Sequence, residues 1–158
     1  MLRSETTAHR RYAVSNVRDR LRFTQFDEDL ETDRTVLFAA STKVLELYLY
    51  GVFGDDIRDD LDLPFLELPW QVEDVAAGYT LGEMNGAYRT LRRGGVPLAA
   101  APDPTLSLLA LVPLSHFLGF TPDALKASFL SEHGAPLLTG GAYSAGAAGH
   151  ISPPGRSD

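Results

Sequence analysis

Four histidines, at His9, His116, His133 and His150, are the side chains of this chain whose ordinary titration lies near neutral pH. They sit in unlike segments, no two at metal-ligand spacing, and no HExxH run exists. His116 falls in the apolar stretch from Leu106 to Phe120, where a hydrogen-bonded core or boundary histidine is expected. The chain has no cysteine, which removes disulfides, thiol catalysis and thiolate metal sites. No phosphate-cradling GxxxxGK[ST] loop is present, and no GxGxxG follows a strand. Ala142-Tyr143-Ser144-Ala145-Gly146 has the outline of a nucleophile elbow. That motif needs a strand before the serine and a helix after it, and here it sits among glycines and alanines. Asp55-Asp56-Ile57-Arg58-Asp59-Asp60-Leu61-Asp62 gathers carboxylates that could pair as acid and base or bind Ca²⁺. It lacks the glycine and terminal glutamate of a Ca²⁺ loop and reads as solvated surface. An enzyme using these acids would need them paired in a concave pocket with raised pKa values. These residues predict no enzyme, no metal and no cofactor.

The acids point instead to recognition. Residues 1–80 hold 16 of the 21 acids and nine of the 14 basic residues, whereas residues 81–158 hold five of each. The net charge of −7 therefore belongs to the first half. Nucleic-acid binding needs clustered Lys and Arg and is not expected. A basic protein partner fits, because complementary potentials speed encounter and select partners. Ten of the acids lie in two stretches, Asp27 to Asp33 and Asp55 to Asp62. An acidic loop of this kind can plug a basic cleft built for an anionic dinucleotide or a nucleic acid by offering carboxylates in place of phosphates.

The elements that would position such loops are legible in the hydrophobic pattern. Arg11–Ser15 and Arg20–Phe26 read as strands around a turn at Asn16–Asp19, with Thr35–Phe38 a third after an acidic loop. Ser41 or Thr42 starts a main helix over about 41–53, carrying Val44, Leu45, Tyr48, Leu49, Val52 and Phe53 on one apolar stripe. A break is expected near Gly51–Gly54, with Asp55 and Asp56 opening a second short helix. Phe65–Leu68 reads as a short strand between Pro64 and Pro69. Ala87–Leu91 and Val96–Ala100 flank Arg92-Arg93-Gly94-Gly95, a hairpin signal, and Tyr79–Leu81 pairs with them across Asn85-Gly86. Two C-terminal helices follow, about 105–119 and 122–133, the second with Thr121 as N-cap, Pro122 at its first position and Leu125, Phe129 and Leu130 inward. Residues 139–158, rich in Gly, Ala, Ser and Pro, read as a disordered tail behind one domain over 1–138. The fold class is α+β: an antiparallel meander sheet, a main helix and two C-terminal helices. The interrupted apolar stretch is too short to span a bilayer, and Met1–Thr7 has no apolar leader core, so a cytoplasmic protein with no membrane partner is expected.

Several runs, in this order and separation, carry a likeness over about Arg11 to Leu138. They are Val36–Ser41, Tyr48–Arg58, Leu66-Glu67-Leu68-Pro69, Val75–Leu81 and Leu125–Leu130. In these the chain resembles the bacterial polymorphic-toxin immunity proteins, the family that includes the immunity factor for tuberculosis necrotizing toxin. The resemblance implies a small α+β protein that binds a cognate secreted toxin, in the best-known case an NAD⁺-hydrolysing one, and blocks its active site. The matching runs look like core and turn positions, so the likeness carries a function and not a site. Exposed loops on a rigid scaffold are where recognition lives. The candidate contacts are therefore Asp27, Glu28 and Asp29, the Glu83-Met84-Asn85-Gly86 turn, and the hairpin tip at Arg92 and Arg93. The rival is a secretion-associated, chaperone-like module that holds its client without inhibiting it.

Overall fold

The computed structural model describes residues 11–144. Six strands form one antiparallel sheet: β1 (Tyr12–Val17), β2 (Arg20–Asp27), β3 (Thr32–Ala39), β4 (Tyr79–Leu81), β5 (Tyr88–Arg93) and β6 (Val96–Pro102). Their spatial order is β1-β2-β3-β6-β5-β4. Two three-stranded meanders thus meet at the β3–β6 seam, where two residue pairs, Phe38 with Ala100 and Ala39 with Ala99, hold them together. Helices α1 (Thr42–Asp60), α2 (Leu106–Phe117) and α3 (Pro122–Leu130) provide the second layer. Phe23, Leu37, Leu91, Ala99 and Ala101 from the sheet meet Val44, Leu47, Leu111, Leu114, Phe117, Leu125 and Phe129 from the helices in one buried core. The alternate positions Arg22, Phe38, Ala100 and Thr90 lie in register across four strands on the other face. This is the α+β layout expected.

The turns are tighter than the sequence suggested. β1 runs to Val17, and the chain reverses at Arg18 and Asp19, both with positive φ (47° and 62°). The acidic loop Asp27–Asp33 is shorter than expected, since Asp27 pairs with Thr32 and Asp33 with Phe26, leaving residues 28–31 in the turn. At the β5–β6 hairpin the turn is Gly94-Gly95, at φ 56° and 76°, the backbone that a two-residue primed turn requires. Arg92 and Arg93 are consequently the last residues of β5 and not the tip.

The expected break at Gly51–Gly54 does not occur: α1 continues for 19 residues. Those glycines are notches for close helix packing. A methyl group on Gly51 would lie 2.5 Å from Phe117 Cε2 of α2, and one on Gly54 would lie 2.6 Å from Phe129 Cγ of α3. The aspartates at the far end are tolerated because Arg58 sits in the last turn, with its guanidinium buried. Every guanidinium N–H finds a backbone carbonyl. Nε (2.9 Å) and Nη2 (2.6 Å) donate to Pro64 O, Nη2 also to Glu132 O (2.8 Å), and Nη1 to Phe129 O (2.8 Å) and Ser131 O. Arg58 thereby takes the carbonyls at the end of α3. That helix closes at Leu130, earlier than the expected 133, with Ser131 extended. Leu130 also does not point inward as expected; it is 42% exposed.

Phe65–Leu68 joins no ladder. Pro64 and Pro69 bring no donors, and the segment runs outside the sheet with Leu66 buried and Phe65 80% exposed. The expected tail also begins later. Leu138–Thr139 (β7) pairs with Ala142–Tyr143 (β8), and Tyr143 stacks on His116 at 3.5 Å and donates its hydroxyl to Pro69 O at 2.7 Å. Residues 139–144 therefore belong to the packed domain, while 145–158 lie outside the described residues. Among the described residues no single helix is long and apolar enough to cross a membrane.

Candidate partner interface

Several of the groups that could have done chemistry hold the fold. His116 is half-buried with Nε2 2.6 Å from Asp74 O, so the ring nitrogen donates to that carbonyl. Burial, the largest influence, lowers its pKa. This is the hydrogen-bonded boundary histidine that its apolar surroundings imply. Ser115 Oγ accepts from Ala76 N and donates to Val112 O; Ser128 Oγ accepts from Leu137 N and donates to Ala124 O. Buried serines thus pin loops to helices. Ser144 Oγ shares a hydrogen bond with Thr139 Oγ1 at 2.6 Å, and the two residues after it lie outside the described part. Among the described residues, no three His, Asp or Glu are grouped to hold a metal. Asp55 is pushed up to about 6, by partial burial first and by Asp56 second, with Arg58 opposing. Its carboxylate reaches solvent on the side of α1 and lines none of the larger cavities.

The strand directions decide which candidate loops share a surface. β2 and β6 run toward one end of the sheet, and β3 and β5 run away from it. The β2–β3 turn with Asp27, Glu28 and Asp29, and the β4–β5 loop with Glu83, Met84 and Asn85, therefore lie at the same end. Arg92 and Arg93 lie at the other, one strand length or roughly 20 Å away. Arg93 there covers the Tyr79 ring at 5.5 Å.

At the acidic end each turn is rigid. Asp27 Oδ1 accepts from the backbone of Asp29 (3.0 Å) and Leu30 (3.2 Å), so this carboxylate is spent on the turn, while Glu28 and Asp29 are exposed. Leu30, 71% exposed, stands between them and Glu31 at the tip. Across the sheet, Asn85 and Tyr88 close the second turn through paired backbone bonds. Met84 is half-buried with Sδ 3.8 Å from Ser107 Oγ, leaving Glu83 and Asn85 exposed. Arg89 ties this loop to α2: Nε donates to Ser107 Oγ, Nη1 to Gly82 O and Nη2 to Pro104 O. Asp103 Oδ1 accepts from Thr105 N and Leu106 N, and those bonds lower its pKa.

Between the two turns the sheet is open. Beyond the β3–β6 seam the strands diverge and leave a cleft of about 590 Å³. Asp33, Arg34 and Asp103 form its rim, and Tyr48, Leu106 and Leu109 are apolar lining. Leu106 and Leu109 are 45% and 44% exposed. Burial pushes the Tyr48 phenol up to about 12, so it remains neutral. The exposed Glu28 and Asp29 of one turn and Glu83 of the other thus stand at the end of the sheet where this cleft opens. Sequence reasoning missed Leu30, Arg89 and the cleft. Leu30 was visible as a lone apolar residue inside an acidic run; the cleft depends on strand order and left no local signal.

A family model described as immunity protein 61 matches residues 1–137. The chain belongs to the immunity protein 61 family. Its relatives include the immunity factor for TNT of Mycobacterium tuberculosis (strain ATCC 25618 / H37Rv) and the homolog of that factor in Mycobacterium bovis (strain BCG / Pasteur 1173P2). Each is 40% identical over 106 residues, which is 64% of this chain and 57% of the relative. The match thus spans a little over half the length of these curated relatives. Among solved structures, "Rv3902c from M. tuberculosis" superposes with a TM-score of 0.71 at 29% identity, covering 84% of this chain and 75% of that one. The fold described above is thus shared with that structure over most of this chain.

Proposed function

We propose that this protein is an antitoxin that binds a cognate secreted toxin, an NAD⁺ glycohydrolase, and occludes its active site. Membership in an immunity protein family, with relatives named as immunity factors for TNT, is the observation that carries this reading. The contact surface is the acidic end of the sheet. Leu30 enters an apolar recess of the toxin as the anchor, and Glu28 and Asp29 offer carboxylates to a cationic cleft that otherwise receives a dinucleotide's phosphates. Glu83 and Asn85 complete the contact from the other side of the cleft. Asp27 and Met84 shape their turns, and Arg92 and Arg93 stand outside the contact. The protein acts in the cytoplasm, by binding alone, without a cofactor or catalysis and without nucleic-acid or membrane partners.

The test is a titration of the toxin domain encoded beside this gene, following NAD⁺ loss. Activity falling to zero near one equivalent of this protein is the expected result. Tight binding with activity intact would replace the reading with a secretion-associated chaperone, and absence of binding would remove both.

A further inference from the structure

α1 is apolar on the wrong side as well as the right one. A helix lying on a sheet needs one apolar stripe, which Val44, Leu47 and Tyr48 provide. Leu49, Phe53 and Ile57 form a second stripe at intervals of four, and Phe53 and Ile57 are 41% and 46% exposed. With Leu130 of α3, 42% exposed, they border a groove of about 470 Å³ between the two helices. Leu49 packs partly against the core and Phe53 meets the Tyr12 ring edge-on at 5.8 Å. Yet Phe53, Ile57 and Leu130 stay exposed, and a contiguous exposed apolar groove on a small protein marks an interaction site.

The charge around the groove selects the occupant. Glu46 lies in its wall, and Asp56 and Asp60 follow Phe53 at i+3 and i+7 along the same face, all three exposed. Within the described residues none of these carboxylates is in an ion pair. Lys126 is the one cation in the lining. A second copy of this chain would bring the same acids face to face across a two-fold axis, which is unfavourable. A segment with an apolar ridge and Lys or Arg on its flanks satisfies both the groove and its rim. The wall from Thr42 to Ile57 is about 23 Å long, enough for a helix of about 15 residues.

We infer that the α1–α3 groove is a docking site for a basic amphipathic helix of a protein partner, separate from the acidic end of the sheet. The probe is a fluorescein-labelled helical peptide of about 15 residues, with leucines at i, i+3, i+4, i+7 and i+11 and lysines elsewhere. A glutamate-for-lysine version and a scrambled version serve as controls. Anisotropy should show the lysine peptide binding the full chain, weakening from about 50 mM to about 500 mM salt, and the controls not binding. Ile57→Asp and Leu130→Asp, each at an exposed position and checked for an unchanged melting temperature, should weaken binding at least about tenfold. Each variant adds negative charge, so unchanged or tighter binding would mean bare electrostatics and would overturn the site. Equal binding of the scrambled peptide, or no binding of the lysine peptide, would also overturn it. Sedimentation of the wild type as a dimer that Ile57→Asp dissolves would assign the groove to a second copy instead.

Discussion

A single arginine joins the ends of two helices and a loop. Arg58 was legible only as a cation in an acidic run, yet its five N–H groups are all taken by carbonyls of Pro64, Phe129, Ser131 and Glu132. Truncation leaves those acceptors buried without donors, each costing on the order of 1 kcal/mol or more. Arg58→Met should therefore destabilise the protein by about 3 kcal/mol or more in urea unfolding. Arg58→Lys should also destabilise it, since an ammonium cannot present the planar fork. Asp55 gives a prediction of opposite sign. Its carboxyl is raised from 3.8 to about 6 in the folded protein, so the native state holds that proton more tightly than the unfolded chain. Stability is lost as pH rises from about 4 through 6. Asp55→Asn should raise the melting temperature above pH 7 and give no gain at pH 4, the effect being small because the side chain still reaches water.

At the scale of elements, the sequence was informative wherever a local rule governs and misleading where packing overrides it. Thr121 with Pro122, and the Gly94-Gly95 hairpin, behave as their residue types dictate. Gly51 and Gly54 carry the same residue-level signal as a helix stop, and only the positions of Phe117 and Phe129 reveal them as packing notches. The distinction is measurable. Glycine to alanine within a helix ordinarily stabilises by about 1 kcal/mol, but at Gly54 the new methyl meets the body of the Phe129 ring. Gly54→Ala should destabilise by about 1–3 kcal/mol in urea unfolding. A gain would mean that the α1–α3 contact is looser than described. The short proline-flanked segment at Phe65–Leu68 failed as a strand for a related reason: alternation alone does not supply a neighbour with a free edge. The placement of residues 139–144 in the domain was hidden because it rests on long-range contacts, Tyr143 stacked on His116 and hydrogen-bonded to Pro69 O.

For the whole molecule, the fold class and the order of elements followed from periodicity, while the grouping of the candidate residues did not. Asp27 to Asp29 and Glu83 to Asn85 are more than 50 residues apart in sequence. They share one end of the sheet because the two meanders join at the β3–β6 seam. Arg92 and Arg93 are nearer in sequence to Glu83 but end their strand at the opposite end. No local pattern encodes that difference; it follows from strand direction. The same topology opens the cleft at that end of the sheet. The proposed contact is therefore expected to be severable at this end without harm at the other, since these turns carry exposed side chains. The most direct measurement is the affinity of the cognate toxin domain for three folded forms of this protein, by calorimetry. Wild type should bind at one to one. Leu30→Asp combined with Glu28→Lys and Asp29→Lys should lose at least about a hundredfold, or roughly 2.7 kcal/mol, while Arg92→Glu with Arg93→Glu should stay near wild type. Loss in the arginine variant with binding intact in the turn variant would contradict the account and move the interface to the other end of the sheet.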